Sequence, residues 1–161
     1  MHKKPIWDIS KSNWIAHKPN PRFAIFHPGP LRDKTKDVVF DKETGLIWER
    51  VSDSEKKTWE AAILYSYTKA VAGRKGWRLP SIEELLSLVD PTRSNPSLPD
   101  GHPFLNVQLD YFYWSSSLGM TNLPTYAWGY DFRNANTSNV LKSTECYVWL
   151  VRGESGHDYP Y

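Results

Sequence analysis

The sequence predicts an α+β domain, ordered as a β-hairpin, two helices, a long loop and antiparallel strands. Three observations predict it. Short apolar runs flank Asp41-Lys42-Glu43-Thr44-Gly45, two segments carry helical spacing behind cap residues, and the segments beyond Gly101 read as strands only. The strand–helix–strand alternation that builds a parallel sheet is not seen in the pattern.

The hairpin pairs Val38-Val39-Phe40 with Leu46-Ile47-Trp48 across a turn ending in Gly45. Thr58 is the expected N-cap of a first helix running to about Val71 and closed by Gly73. Its apolar face is Trp59, Ala62, Ile63, Ser66 and Ala70. Ser81-Ile82-Glu83-Glu84 reads as a capping box, in which Ser81 caps the Glu84 amide and Glu84 reaches back. This second helix buries Leu85, Leu86, Leu88 and Val89 and stops after Asp90, at Pro91. Residues 90–101 are loop.

Three strands follow. Tyr111 to Ser117 is the first. Tyr126 to Arg133 puts Trp128, Tyr130 and Phe132 on one face and Gly129, Asp131 and Arg133 on the other. Glu145 to Arg152 puts Cys146, Val148 and Leu150 inward and Tyr147, Trp149 and Val151 outward. The polar residues 134–139 are expected to turn between the last two strands.

A length of 161 residues fits one domain. With 40% hydrophobic and 14% aromatic residues the chain can fill a core, which excludes global disorder. The longest apolar runs, such as Tyr147 to Val151, fall far short of the roughly 20 residues of a membrane-spanning helix, so no span is expected. The N-terminus has no apolar signal core, and the lone Cys146 cannot form an intrachain disulfide; both favour a reducing, cytoplasmic setting, with a secreted or surface setting left open for a chain whose signal has been removed.

Residues 1–36 read as a basic, Pro-rich arm and residues 37–161 as the domain proper. The arm carries eight Lys/Arg against two Asp, a balance of +6, and the rest a balance of −4. Such an arm either folds back on its acidic body or steers towards anions. Five Pro argue against regular structure there. Trp7, Trp14, Phe23 and Phe26 argue for docking on the body or on a neighbouring subunit.

Several motifs in order resemble the Lcl C-terminal domain family, named after a collagen-like adhesin. They are Thr44-Gly45-Leu46-Ile47-Trp48, Thr58-Trp59-Glu60-Ala61-Ala62, Gly76-Trp77-Arg78-Leu79-Pro80-Ser81 with Glu84-Leu85, and Tyr113-Trp114-Ser115-Ser116. Tyr126-Ala127-Trp128 and Tyr147-Val148 with Val151-Arg152-Gly153 complete the series, from about Asp37 to Gly153. The resemblance implies a C-type-lectin-like fold, related to formylglycine-generating enzymes and to the variable proteins of diversity-generating retroelements. It implies a scaffold that presents a ligand-binding surface, with polyanionic glycans among the ligands of some relatives and homo-oligomers, including trimers, among their assemblies. Where relatives often carry two Cys, this chain has Ser66 and Leu150, as suits a reducing compartment.

The candidate binding surface lies on the last two strands and their connection. An outward Trp leaves a large apolar face in water unless something covers it. Trp149 and Tyr147, with Asp131, Arg133, Asn134, Asn136 and Asn139, form this surface, and Ser117 and Tyr126 join it. Two readings stay open. A flat ring among amides and an Arg suits a glycan or a protein ligand, whereas permanent cover by residues 1–36 or by another subunit would make it structural.

Gly76 to Pro80 and Tyr113 to Ser116 read as packing and capping segments, with Arg78 paired to a core carboxylate or to backbone carbonyls. No metal ligand set is expected, because the five His are scattered and Leu98-Pro99-Asp100 half fits a calcium-lectin motif. No cofactor, catalytic residue or nucleic-acid partner is expected. Nucleophile-elbow, phosphate-loop and dinucleotide motifs are missing, a copper-thiol site needs more than Cys146, and His102 near Asp100 is a loop histidine without special claim to base chemistry. The expected function is a non-catalytic ligand-recognition module; the alternative is an assembly protein that oligomerises through its N-terminal arm.

Overall fold

Asp41 closes the first hairpin with its own side chain. Its carboxylate accepts the Glu43 N–H at 3.0 Å and the Thr44 hydroxyl at 2.8 Å, a local turn that folds the chain back on itself. The computed structural model describes residues 18–28, 33–120 and 124–153. Strands β1 (Phe23–Phe26), β2 (Val38–Asp41), β3 (Ile47–Glu49) and β7 (Val151–Arg152) form one antiparallel sheet in the order β1-β2-β3-β7. A second antiparallel sheet joins β4 (Tyr113–Leu118), β5 (Tyr126–Asp131) and β6 (Asn136–Leu141) in sequence order. Helices α1 (Trp59–Thr68) and α2 (Ile82–Ser87) come between them in the chain. The class is α+β, as the pattern indicates.

Both helices start where their cap residues place them. The Thr58 and Ser81 hydroxyls accept the N–H of Ala61 and Glu84. They end early, however. α1 stops at Thr68 because Lys69 turns extended and carries its ammonium onto the Tyr65 hydroxyl and to 3.3 Å from Glu49 Oε1. In α2 the Glu84 carboxylate does not reach back along the helix. It pairs with Arg78 at 3.0 Å, and Arg78 also donates to the carbonyl of Gly153, pinning the C-terminal strand to the helix start.

Residues 145–152 differ most from the sequence reading. Only Val151 and Arg152 are strand; upstream, Cys146 bridges to Lys57 and Tyr147 to Tyr113. This thread passes between two hydrophobic cores. Tyr147, Trp149 and Val151 enter one, together with Trp48, Leu85, Phe104, Tyr113 and Phe132. Cys146, Val148 and Leu150 enter the other, with Ala62, Trp77, Leu79 and Trp114. Alternation is real here, but both faces are dry. The hairpin behaves the same way: Val39 and Trp48 belong to the first core, Val38 and Ile47 to the second.

The expected lack of regular structure before residue 37 is also corrected. Residues 23–26 form β1, paired antiparallel with β2 from Phe23 opposite Asp41 to Phe26 opposite Val38. An ion pair locks this edge. Arg22 donates from Nε to Asp41 Oδ1 at 2.7 Å and from Nη2 to Asp41 Oδ2 at 2.5 Å, with a third bond to the Ser87 carbonyl at 2.8 Å. His27 Nδ1 lies 2.8 Å from buried Asp37. Gly101 lets the chain approach closely, since a Cβ there would strike the Lys18 carbonyl. Trp7 and Trp14 lie outside the described residues.

The folded unit therefore extends upstream of the hairpin. Arg22→Met leaves the Asp41 carboxylate buried and unpaired, at an expected cost of about 3 kcal/mol in urea denaturation. Burial opposes ionisation of Asp41, but the Arg22 bonds and charge, the Thr44 hydroxyl and the Glu43 N–H hold its pKa below the ordinary 3.8. That stabilisation is present above the ordinary value and is lost as pH falls through the lower folded one. The gap between parent and Arg22→Met should narrow accordingly below about pH 3.8.

Candidate functional site

The second sheet has one dry face and one divided face. Ala127 and Val140 point into the second core beside Trp114. On the opposite face, cross-strand pairing sets Tyr130 against Thr137, Trp128 against Asn139 and Tyr126 against Leu141. Tyr130 lies at the covered end, within the first core. Trp128 and Tyr126 are half-buried and pack against neither core. Leu141 is 44% exposed beside them, while Leu118, 60% exposed at the end of β4, is paired with Ala127 and so lies on the other face. The open end of this sheet is thus an aromatic and apolar surface carrying one amide.

Gly119 seats that surface. A Cβ at this position would come within 2.7 Å of Asn139 Oδ1 and 2.8 Å of Tyr126 Cβ, closer than real atoms stand. The glycine lets both side chains lie against the β4 backbone. Asn139 Oδ1 is buried there without a hydrogen-bond partner. Of the six described Trp, four are buried. Half-buried Trp59 is engaged, its indole N–H donating to the Ser115 carbonyl at 2.9 Å and Lys142 lying 4.2 Å over its ring.

The sequence placed the outward Trp wrongly. Trp149 is 0% exposed, edge-on to Phe104 at 4.8 Å, near Phe132, Trp48 and Tyr113, with its N–H donated to the Glu49 carbonyl at 2.9 Å. Tyr147 is 6% exposed and donates its hydroxyl to Asp110. Asp131 is 7% exposed and accepts the N–H groups of Arg133 and Asn134 and the Asn134 amide, so it builds its own turn. Ser117 accepts the Ile82 N–H at the start of α2, which is a capping duty. Residues 132–135 make the turn, and Asn136 to Asn139 lie in β6 instead of forming the loop. Arg133, Asn134 and Asn136 are exposed at the turn end. Tyr126 and Asn139 are the residues that the structure brings beside Trp128. Trp128 itself was missed, because alternation grouped it with Tyr130 and Phe132 on a face assumed uniform.

Residues 37–152 match the Lcl C-terminal domain family. The chain belongs to that family. No curated protein matches its sequence. As the Lcl C-terminal match begins at Asp37, β1 and Arg22 lie outside it although they complete its first sheet.

Two further places hold chemistry-bearing groups. A recess of about 430 Å³ is lined by residues of the 93–102 loop, among them Arg93, Asn95 and His102. Burial, then the Arg93 charge, lowers the His102 pKa, and its Nδ1 is buried without a hydrogen-bond partner that could orient it as a base. The other place is Glu49, 2% exposed, whose carboxylate accepts the Leu150 N–H at 3.0 Å and pairs with Lys69. Burial pushes Glu49 up, against the pull of Lys69, and burial pushes Tyr65 up to about 12. Among the described residues no group of three or more His, Cys, Asp or Glu could hold a metal ion, and no helix is long and apolar enough to cross a membrane.

Three substitutions separate these roles. Trp149→Ala should cost about 3–5 kcal/mol in chemical denaturation, as a core Trp does, while Trp128→Ala costs about 1 kcal/mol or less. Lys69→Met strips Glu49 of its partner and should cost about 3 kcal/mol at neutral pH. Since the raised Glu49 pKa means that the folded state prefers the protonated form, this cost should shrink as pH falls through that pKa and grow as it rises.

Proposed function

We propose that this protein is a non-catalytic ligand-recognition module that binds through the open end of the β4–β5–β6 face, centred on Trp128. What supports the reading is a single observation: Trp128 and Tyr126 are half-buried on a regular sheet yet pack against neither core. A large ring left at a surface beside exposed Leu141 is the composition of an interaction patch. Family membership agrees with this reading, since the resemblance implies a C-type-lectin-like scaffold that carries a changeable ligand surface. The titratable groups argue in the same direction: Glu49 is sealed and internally paired, Cys146 is buried with its thiol pushed up to about 12, and His102 lacks an orienting partner. The proposed ligands are glycans or proteins that offer a flat apolar face.

Array binding of the parent and of Trp128→Ala tests this. The variant should keep its fold and lose binding at least tenfold, as an aromatic anchor does. Undiminished binding by Trp128→Ala would sink the assignment of this face.

A second reading, assembly through the N-terminal segment, is favoured by β1. It is an edge strand of its sheet and leaves Phe26 61% and Ile25 38% exposed. Light scattering of the parent and of Phe26→Lys decides it. Assembly through this edge requires a larger mass in the parent that the variant reduces, and identical monomeric masses rule it out.

A further inference from the structure

We infer that two copies of this chain pair through the outer edge of β6, continuing the β4–β5–β6 sheet across a two-fold axis. Among the described residues, β7 exchanges bonds with Arg78, and β4 donates to the carbonyls of Tyr147 and Pro80 at 3.0 and 2.8 Å, so β1 and β6 are the strands that leave a sheet edge open. β6 is the longer, six residues against four, and it pairs with β5 in unbroken register from Asn136 to Leu141. It contains no Pro, no charged residue and no bulge, the devices that keep an edge strand from meeting its like.

The groups on that edge are set by parity. Lys142 donates its N–H to the Thr125 carbonyl at 2.8 Å, and bonding alternates along an antiparallel pair. Asn136, Ser138 and Val140 therefore direct their backbone groups to β5, while Thr137, Asn139 and Leu141 turn theirs outward. Of these outward groups only the Leu141 carbonyl is bonded among the described residues, to the Thr144 N–H at 2.8 Å, and it keeps a second lone pair. A row of alternating donors and acceptors is complemented by another strand. Antiparallel pairing about an axis at Asn139 sets Thr137 opposite Leu141 of the second copy and uses all three residues on each side.

Charge selects a second copy as that strand. Arg133 and Glu145 stand six residues before and six after Asn139. Both are exposed, and neither joins an ion pair among the described residues. The axis brings the Arg133 end of each copy beside the Glu145 end of the other, and no like charges meet along the strands. Both Trp128 positions then lie on one face of a six-stranded sheet, three strand spacings or about 14 Å apart. The pairing itself does not depend on what that face binds.

Sedimentation and amide exchange of the full chain over a range of concentrations test this. The parent should show twice the chain mass, and the Thr137 and Asn139 amides should exchange at least tenfold more slowly in the dimer than on dilution. Thr137→Pro removes one outward N–H and no bond to β5, so it should give a monomer with the parent's thermal unfolding. Arg133→Glu should weaken the dimer several-fold, and Arg133→Glu with Glu145→Arg should restore it, which tests the edge even where the proline variant does not fold. A parent that stays monomeric or reaches three chains overturns the pairing. So does a dimer that Phe26→Lys dissociates and Thr137→Pro leaves intact, which lies on β1, and so does protection of both amides in the monomer, which means the chain covers this edge itself.

Discussion

Residues 146–151 send alternate side chains into two separate cores, and the rest of the molecule is arranged around that thread. Trp149 sits at the centre of the first core, against Phe104, Phe132, Trp48 and Tyr113. Leu150 lies in the second, while its N–H is held by the Glu49 carboxylate and its carbonyl accepts the Glu49 N–H at 3.1 Å. A buried carboxylate beside a buried backbone is tolerated only because Lys69 and the Leu150 amide satisfy it. Glu49 thus ties β3, the end of α1 and the C-terminal thread into one unit.

The same economy explains the N-terminal edge. β2 has both faces covered, so its outer edge needs a partner strand, and β1 supplies it. β1 has only four residues, which is little for hydrogen bonding alone. Arg22 compensates with a bidentate grip on Asp41 and a bond to the end of α2. Sheet, turn and helix meet at one guanidinium. The family match and the physical domain therefore begin at different residues.

With the thread and the edge fixed, the second sheet is left with more surface than the cores can cover. α2 and the first core cover the Tyr113–Tyr130 end, and the Trp128–Tyr126 end projects beyond them. Gly119 lets Asn139 and Tyr126 sit close against the chain at this end, because any larger residue would displace them. Aromatic side chains have few rotatable bonds and lose little conformational freedom when something lies on them, which is the physical basis of the proposed recognition.

The sequence by itself determined the class and much of the local geometry. Thr58 and Ser81 announced their helices through hydroxyl caps, Asp41 to Gly45 announced a turn, and strict alternation announced β5, because these signals depend on neighbours within a few residues. It also offered Arg78 a carboxylate or backbone carbonyls, and the structure gives it both. It could not say which faces are wet. Alternation in Cys146 to Val151 gives two faces, and only the arrival of the hairpin on one side and of α1 and β4 on the other makes both of them dry. The uninterrupted apolar run Tyr147 to Val151 was the available hint, as strands buried on both sides read that way. For Trp128 and Trp149 the local patterns are alike. Where each ring ends up is decided by packing between segments up to a hundred residues apart, such as Trp149 and Glu49, and no local period encodes such a distance.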